Sequence, residues 1–242
     1  MDPRPPAGPF APEIETALRF RAKAELRKSV QRIRTALPPS ARAARSAAIR
    51  ERLRDGGAFA GARAIALFAP MLHKAEVDSR GLDADARALG LRVAYPMLED
   101  PPDAVSDTDD RSPSIPTIPT IPTIPTMTMR WVDDGERLDA LLVERGHGFP
   151  EPSPDAPLAE LGALDVIVVP GLAFDPERQR LGYGAGFYDR LLREAPRART
   201  IGVAFDFQIL AEIPVTEGDV ALGAVVTDRR VFGALRPGDA PE

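Results

Sequence analysis

The sequence predicts an α/β fold in which helices cover a mainly parallel sheet, built as a single domain. Short apolar runs suited to buried strands alternate with segments of helical periodicity, and this alternation is typical of parallel sheets. The clearest strand is the β-branched run at residues 165–169, which Pro170 and Gly171 end. With 242 residues, 44% of them hydrophobic, the chain can bury a full core.

Two helices are expected before the first strand. Over residues 14–37, apolar residues recur every three or four positions, which predicts a long helix that turns this stripe inward. The stripe consists of Ile14, Leu18, Ala22, Leu26, Val30, Ile33 and Leu37. Pro38 and Pro39 would end this helix, Ser40 would cap a second one to about residue 54, and Gly56 would close it. Residues 1–12 are interpreted as a flexible N-terminus and residues 13–242 as the folded domain.

The remaining elements follow in alternation. Further strands are expected at residues 64–68, at 91–95 with Pro96 as the stop, at 200–205 and at 224–227, and helices at 79–89 and 186–194. Residues 100–126 interrupt this order, because they end in four Ile-Pro-Thr repeats. Proline at every third position opposes both helix and strand, so we expect a disordered, polyproline-like insertion. It could be a docking ligand, but a tolerated surface insertion is the preferred interpretation.

Composition excludes several classes of site. The chain has no cysteine and only two histidines, which removes thiol chemistry and makes a multi-histidine zinc site improbable. The N-terminus has no apolar signal region, and no run approaches the roughly 18 apolar residues of a membrane span. We therefore expect a cytoplasmic protein without membrane partners.

Charge is distributed unevenly. The net charge is −5, yet residues 1–54 contain thirteen Lys and Arg against five Asp and Glu, so the remainder carries −13. A basic segment suggests a polyanionic partner, either a nucleic acid or a nucleotide phosphate chain. The acidic remainder argues against an extended nucleic-acid footprint.

The densest chemical signal lies at residues 180–189, Arg-Leu-Gly-Tyr-Gly-Ala-Gly-Phe-Tyr-Asp, between a strand and a helix. Alternating glycines let backbone N–H groups surround an anion, and the helix start adds its partial positive charge. Arg180 can form a fork onto phosphate oxygens. The spacing differs from that of a dinucleotide fingerprint, and a tight turn with close helix packing is the structural alternative.

Other candidates are weaker individually. Lys23 and Arg27 lie four residues apart, on one helix face, and could clamp phosphates, although a solvated basic face is the simpler interpretation. Glu76 could accept hydrogen bonds from a heterocycle. Asp189 and Asp219 are oxygen donors of the type that Mg²⁺ prefers, but nothing local distinguishes them from ordinary loop aspartates.

Together these motifs resemble the 5-formyltetrahydrofolate cyclo-ligase family, also called methenyltetrahydrofolate synthetases. The resemblance covers nearly the whole chain from Lys23, apart from the insertion. Its motifs are Lys23-Ala-Glu-Leu-Arg27, Phe68-Ala-Pro-Met71, Glu76-Val-Asp78, Gly148-Phe-Pro-Glu-Pro152, Val168 to Asp175, Arg180 to Asp189, Glu217-Gly-Asp219 and Val226-Thr-Asp228. The family fold is an α/β sandwich with a mainly parallel sheet, in agreement with the pattern.

The resemblance implies ATP-dependent cyclisation of 5-formyltetrahydrofolate to 5,10-methenyltetrahydrofolate, with release of ADP and phosphate. It implies catalytic roles for Lys23 and Arg180 and a magnesium site at Asp189 and Asp219. The ATP-binding residues would be Lys23, Arg27, Arg180, Leu181, Gly182, Tyr183, Gly184, Ala185, Gly186, Phe187 and Tyr188. The folate-binding residues would be Met71, Glu76, Tyr183, Gly184, Ala185, Gly186 and Phe187. No nucleic-acid partner is implied, and a monomer is favoured.

The chain departs from the family pattern at three positions. Ala185 replaces glycine or lysine, and alanine would cost roughly 1 kcal/mol if the position required a positive φ. Phe187 replaces a frequent tyrosine, and Gly218 replaces a common histidine.

Two other functions remain open. An inactive relative could bind nucleotide or RNA, which the basic N-terminus would favour. A sugar-phosphate enzyme would keep the glycine-rich loop but would have no need of Lys23 and Arg27.

Overall fold

A seven-stranded sheet forms the centre of the protein, in a computed structural model that describes residues 11–100, 124–133 and 138–236. The strands in chain order are β1 (Ala64–Ala66), β2 (Arg92–Glu99), β3 (Thr126–Trp131), β4 (Val143–Glu144), β5 (Pro150–Glu151), β6 (Val166–Pro170), β7 (Ala173–Phe174), β8 (Arg180–Leu181), β9 (Arg199–Ala204), β10 (Ala224–Thr227) and β11 (Val231–Gly233). The large sheet has the order β11-β10-β9-β6-β1-β2-β3, and β4 pairs with β5 and β7 with β8 in two small sheets. Within the large sheet only the edge pairs β10–β11 and β2–β3 are antiparallel. The predicted α/β fold with a mainly parallel sheet is confirmed.

Helices cover both faces of this sheet. They are α1 (Pro12–Thr35), α2 (Pro39–Asp55), α3 (Arg80–Ala88), α4 (Leu138–Leu141) and α5 (Phe187–Glu194), with 3-10 turns at Leu72–Lys74, Leu161–Ala163 and Asp206–Gln208. Side chains of a strand alternate between faces. Val166 and Val168 of β6 therefore pack in one buried cluster with α2 and α3, whereas Ile167 and Val169 pack in another with α5. None of the described helices combines the length and apolar character needed to cross a bilayer.

The strand order reverses between β1 and β6. Along the chain, β1 is followed by β2 on one side, whereas β6 is followed by β9 and β10 on the other. In open α/β sheets, ligands bind outside the carboxyl ends of the strands at such a reversal. A cavity there is lined by Phe68 and Ala69, which follow β1 closely, and by Pro170, the last residue of β6.

Helix α1 turns a different face inward from the one predicted. Three residues of the predicted apolar stripe are about half exposed, namely Ile14, Leu18 and Ile33 at 52%, 48% and 51%. The buried residues are Lys23, Val30 and Arg34, which lie seven and four positions apart and so share one face. Only part of this face packs in an apolar cluster, through Leu26 and Val30. Lys23 and Arg34 can be buried because neighbouring loops supply oxygen partners for their charged groups. The predicted inward orientation was wrong for Ile14, Leu18 and Ile33.

Strand β2 passes through Pro96, the residue predicted to stop it. The N–H of Leu98 donates to Glu151 Oε1 at 2.6 Å instead of to β3. Alternate residues of a strand direct their N–H groups to the same side, so the nitrogen of Pro96 also points away from β3. Its missing N–H therefore removes no hydrogen bond from the β2–β3 ladder, and on the other side β1 pairs with β2 only as far as Ala94, so proline is tolerated there.

The sequence reasoning also missed β3 and misplaced one helix cap. Met127, Met129 and Trp131 alternate with polar residues, and this period of two was a strand signal beside the repeats. Helix α2 begins with Pro39 at its first position and Pro38 as its N-cap, so Ser40 is not the cap. Residues 1–10 and 101–123, which hold most of the expected flexible N-terminus and insertion, lie outside the described residues.

Candidate active site

The cavity at the strand reversal has a volume of about 1180 Å³. This exceeds the 300–1,000 Å³ of most small-molecule pockets and gives room for two ligands side by side. Its described lining contains seven Lys and Arg side chains against five Asp and Glu, in a chain whose net charge is −5. The cavity is therefore a locally cationic site in an acidic protein, which suits an anionic ligand.

The glycine-rich segment forms one wall of the cavity. Gly184 and Gly186 have φ values of +114° and +69°, conformations that glycine adopts without steric cost, and Gly186 is the N-cap of α5. Ala185 between them is not among the described residues with positive φ, so alanine causes no backbone strain there. The segment can therefore present backbone N–H groups and a helix start to an anion.

Helix α1 places two cations against this wall. Lys23, only 3% exposed, forms an ion pair with Asp219 and donates from Nζ to Thr216 Oγ1 at 2.9 Å. Burial on its own raises the pKa of Asp219, but the hydrogen bonds from Lys23 and Thr216 outweigh it and lower that pKa. Arg27 donates from Nε to the carbonyl of Gly182 at 2.9 Å. Both cations line the cavity, and they share one face of α1 as their spacing of four residues predicted.

Arg180 occupies the inner end of the segment. Its side chain is 5% exposed, and Nη2 donates to Asp189 Oδ2 at 2.9 Å. The guanidinium also lies over the ring of Tyr188, with Cζ 5.6 Å from the ring centroid. Burial raises the pKa of Tyr188, although the charge of Arg180 opposes this. Packing and pairing therefore hold Arg180 in one orientation toward the cavity.

A buried hydrogen-bond chain joins this wall to the loop after β1. The Tyr183 hydroxyl donates to Glu76 Oε1 at 2.8 Å, and the N–H of Met71 donates to Glu76 Oε2 at 2.8 Å. Burial raises the pKa of Glu76, although the Met71 N–H and the charge of Arg34 oppose it. Arg34 donates from Nη2 to the Tyr183 hydroxyl at 2.5 Å. The carboxylate of Glu76 keeps free lone pairs to accept from a ligand.

The two aspartates predicted to bind metal also line the cavity. Asp189 Oδ1 accepts a 3.4 Å hydrogen bond from the N–H of Val220, the residue after Asp219. The Asp189 carboxylate therefore lies beside the backbone of the loop that carries Asp219. Nowhere in the described ranges do three or more His, Cys, Asp or Glu side chains form a metal-binding group. Two carboxylates match the way Mg²⁺ binds in nucleotide sites, where phosphates and water supply the other ligands.

Almost every predicted site residue lines this cavity. The exception is Leu181, whose side chain is fully buried in the apolar cluster with Val30, Ala173 and Ile213. The remaining lining residues with predicted roles are Lys23, Arg27, Met71, Glu76, Arg180, Gly182, Tyr183, Gly184, Ala185, Gly186, Phe187, Tyr188, Asp189 and Asp219. The structure thus brings into one place residues that the sequence separates by up to 196 positions.

Sequence reasoning missed several residues of the site. Arg34 shares the helix face of Lys23 and Val30, and this spacing was a usable signal. His147 lines the cavity beside the Gly-Phe-Pro-Glu motif, and its Nδ1 lies 2.8 Å from Oε2 of the buried Glu151. Burial alone lowers the pKa of His147, but the Glu151 and Asp100 carboxylates outweigh it and raise that pKa.

The fold and this cavity define an α/β protein with a cationic, glycine-walled site that suits an anionic ligand. Comparison with known proteins narrows this class. Residues 19–228 match the sequence model of the 5-formyltetrahydrofolate cyclo-ligase family. The chain is 33% identical over 218 residues to a 5-formyltetrahydrofolate cyclo-ligase of Mycolicibacterium smegmatis, covering 89% of this chain and 98% of that protein. The chain belongs to the 5-formyltetrahydrofolate cyclo-ligase family.

Solved structures agree with this assignment. The NMR structure of 5,10-methenyltetrahydrofolate synthetase from Aquifex aeolicus superposes with a TM-score of 0.68 at 28% identity, covering 91% of this chain and 96% of that one. A 5,10-methenyltetrahydrofolate synthetase from Mycoplasma pneumoniae, at 22% identity and a TM-score of 0.57, shares the fold over 86% of this chain and 99% of its own.

Proposed function

We propose that the protein converts 5-formyltetrahydrofolate and ATP into 5,10-methenyltetrahydrofolate, ADP and phosphate. The observation that carries the proposal is the 2.8 Å hydrogen bond between Tyr183 and Glu76, which joins the cationic glycine-rich wall to the loop of Met71 in one cavity. A nucleotide and a folate bound to these two walls would meet. Family membership indicates which substrates the protein uses, and the names of its relatives support the same activity.

The glycine-rich wall and the cations beside it would position ATP and neutralise the charge of its phosphates. Phosphoryl transfer asks the protein mainly for positioning and electrostatic stabilisation, and does not require a nucleophilic side chain. Lys23, Arg27 and Arg180 supply cations on buried or half-buried side chains. These side chains are already held by Asp219, Gly182 and Asp189, so little reorganisation is needed when phosphate oxygens bind.

The chemistry would proceed in two steps. The formyl oxygen attacks the γ-phosphorus, ADP leaves, and the formyl carbon becomes an iminium phosphate. The folate N10 then attacks this carbon, loses its proton, and phosphate departs as the ring closes. Glu76 would orient the folate by accepting hydrogen bonds from N–H groups of its pterin ring, while Met71 and Phe187 would pack against its apolar surface.

Magnesium would be held by Asp189 and Asp219. The ion would neutralise charge on the phosphate oxygens and fix their orientation. Its chain ligands already lie beside the phosphate-binding cations, since Asp189 pairs with Arg180 and Asp219 with Lys23. A cytoplasmic location and a monomeric state stay predictions.

Purified protein should form the methenyl chromophore only when 5-formyltetrahydrofolate, ATP and a divalent cation are all present. The reason is that the formyl oxygen is a poor leaving group until it is phosphorylated. Absorbance would be followed with each component omitted in turn, and with chelator added. Equal product without ATP, or no product under any condition, would contradict the proposed function. The alternative of an inactive relative has no supporting observation in the family or its structures.

Replacing residues 101–123 with a short Gly/Ser linker should leave turnover within a few-fold of the full-length chain. Glu99 and Thr126 are opposite each other at the end of the β2–β3 pair, so a short linker can join the two strands. Turnover and thermal midpoint would be compared with those of the full chain. A loss beyond about tenfold, about 1.4 kcal/mol in the barrier, with an unchanged midpoint would show that the segment acts on the site.

A further inference from the structure

The cavity extends along the first part of α1, beyond the residues that the proposed function uses. Five residues that precede Lys23 line it there, namely Pro12, Glu15, Thr16, Arg19 and Phe20. We call this part the outer end of the cavity. Its first three residues lie before the range 19–228 that matches the family, so family membership assigns them no role. What the outer end binds has to be inferred from its own structure.

Helix α1 passes from the side of the cavity proposed for folate to the outer end. Arg34 donates to the Tyr183 hydroxyl on the folate side, and Arg27 and Lys23, earlier in the helix, lie at the glycine-rich wall. The γ-phosphate of ATP should lie toward the folate, because the formyl oxygen attacks it. The ribose and the base should then lie on the other side of Lys23, toward the start of α1.

The outer end offers an open aromatic ring at this place. Phe20 is the most exposed aromatic side chain that the structure describes, at 56%. It lies three residues before Lys23 and seven before Arg27, and so shares their helix face. At 1.5 Å per residue, residues 12–20 extend about 4.5 to 16.5 Å beyond Lys23 along the helix, which leaves room for a ribose and a base. An open aromatic ring can stack on a base, since every base has a π-face.

Arg19 holds the outer end against the loop that carries Asp219. Its Nη1 donates to the carbonyl of Val215 at 2.7 Å, and its Nη2 donates to Glu15 Oε1 at 2.7 Å. Val215 is itself 38% exposed and lines the cavity. The outer end therefore combines a fixed helix segment with open apolar side chains, next to a cationic site. Such a surface suits a flat heterocycle that is joined to an anion.

We propose that the outer end of the cavity binds the nucleoside of ATP, and that the ring of Phe20 stacks on the base. The inference rests on the proposed function, since it assigns residues to the nucleotide of that reaction. Stacking recognises the face of a base and not its hydrogen-bonding edge, so Phe20 would add affinity with little preference between bases. The alternative is that another part of the chain packs on Phe20, and the two possibilities differ in their effect on ligand binding.

Three variants test this role. Phe20→Ala removes the ring, and Phe20→Leu keeps apolar bulk without an aromatic face. Leu18→Ala is the matched control, because Leu18 lies on the same helix and is 48% exposed but does not line the cavity. Dissociation constants for ATP, GTP and tripolyphosphate would be measured by calorimetry, each ligand alone, together with thermal midpoints. Turnover of the unaltered protein would be measured in parallel.

We expect Phe20→Ala to weaken ATP by about 5- to 30-fold, the lower part of the range for loss of base stacking on an aromatic ring. GTP should weaken by a similar factor relative to its affinity for the unaltered protein. Tripolyphosphate has no base, so its affinity should change less than about twofold. Phe20→Leu should weaken ATP less than Phe20→Ala does. Leu18→Ala should match the unaltered protein, and all midpoints should stay close together.

Unchanged ATP affinity in Phe20→Ala, in a protein that turns over, would overturn the inference and leave the proposed function standing. Equal weakening of ATP and tripolyphosphate would also overturn it, because the change would then act through the phosphate-binding cations. A lowered midpoint with unchanged ATP affinity in Phe20→Leu would show that the ring packs on another part of the chain. If the unaltered protein neither binds ATP nor turns over, the proposed function fails first and the inference falls with it.

Discussion

Replacing Asp189 by asparagine should lower turnover by about a hundredfold or more while the protein stays folded. Asparagine has nearly the same shape but no charge, so it would no longer hold a hard cation against the phosphates. Loss of groups that only orient metal ligands already costs roughly 10–100-fold, and loss of a ligand should cost at least as much. Turnover would be measured at saturating ATP and folate over a range of magnesium concentrations. High magnesium should partly restore the rate by mass action.

The stability of this variant separates a metal ligand from a helix-start residue. At the start of α5 alone, the exchange should cost a few tenths of a kcal/mol, since Asn and Asp are similar there. The structure adds the ion pair with the buried Arg180, and replacing a charged acceptor by a neutral one adds about 1 kcal/mol. We therefore expect a small fall in thermal midpoint beside a large fall in rate.

A matched control is Asp85→Asn. Asp85 forms an ion pair with Arg50 at 2.6 Å and does not line the cavity, so its exchange should affect stability without changing the magnesium dependence. If Asp189→Asn also shows normal turnover and normal magnesium dependence, Asp189 does not bind the metal, and Asp219 is left as the remaining predicted ligand.

The parallel core of the sheet could be predicted from the sequence because its strands are buried on both faces. Such strands are continuous apolar runs, and the predicted strand at 224–227 matches β10 (Ala224–Thr227) residue for residue. The outer strand β3 and the passage of β2 through Pro96 were missed. The alternation in β3 was a strand signal that the repeats beside it obscured. The passage of β2 through Pro96, in contrast, depends on which side of the strand has a neighbour, and that is a property of the assembled sheet.

The orientation of α1 shows why the site was only partly predictable. Helical periodicity identifies faces, but it does not say which face a neighbouring loop will cover. Lys23 is buried because Asp219, 196 residues away, and Thr216 provide its partners. Partners distant in sequence also account for the basic N-terminal segment. Arg45 and Arg50 of α2 form ion pairs with Asp228 and Asp85, which belong to the acidic remainder of the chain.

Changing Arg180 to alanine should reduce kcat/KM for ATP by about 30- to 1000-fold, a loss of roughly 2–4 kcal/mol, as for other single electrostatic donors. The expected cause is the loss of a forked, charge-assisted contact to phosphate from a side chain that is 5% exposed and held by Asp189 and Tyr188. The KM for folate should change only a few-fold. Steady-state kinetics with each substrate varied in turn would measure both effects.

Alanine also leaves Asp189 without its partner and removes packing against Tyr188, so a general loss of structure must be distinguished from a loss of phosphate binding. Arg180→Lys makes this distinction because it keeps a cation beside Asp189 and removes only the fork. We expect Arg180→Lys to have a thermal midpoint close to that of the original protein and a kcat/KM for ATP between those of the original and Arg180→Ala. If Arg180→Ala folds and leaves both turnover and the KM for ATP unchanged, the glycine-rich segment is a structural turn and the phosphate chain must bind elsewhere in the cavity.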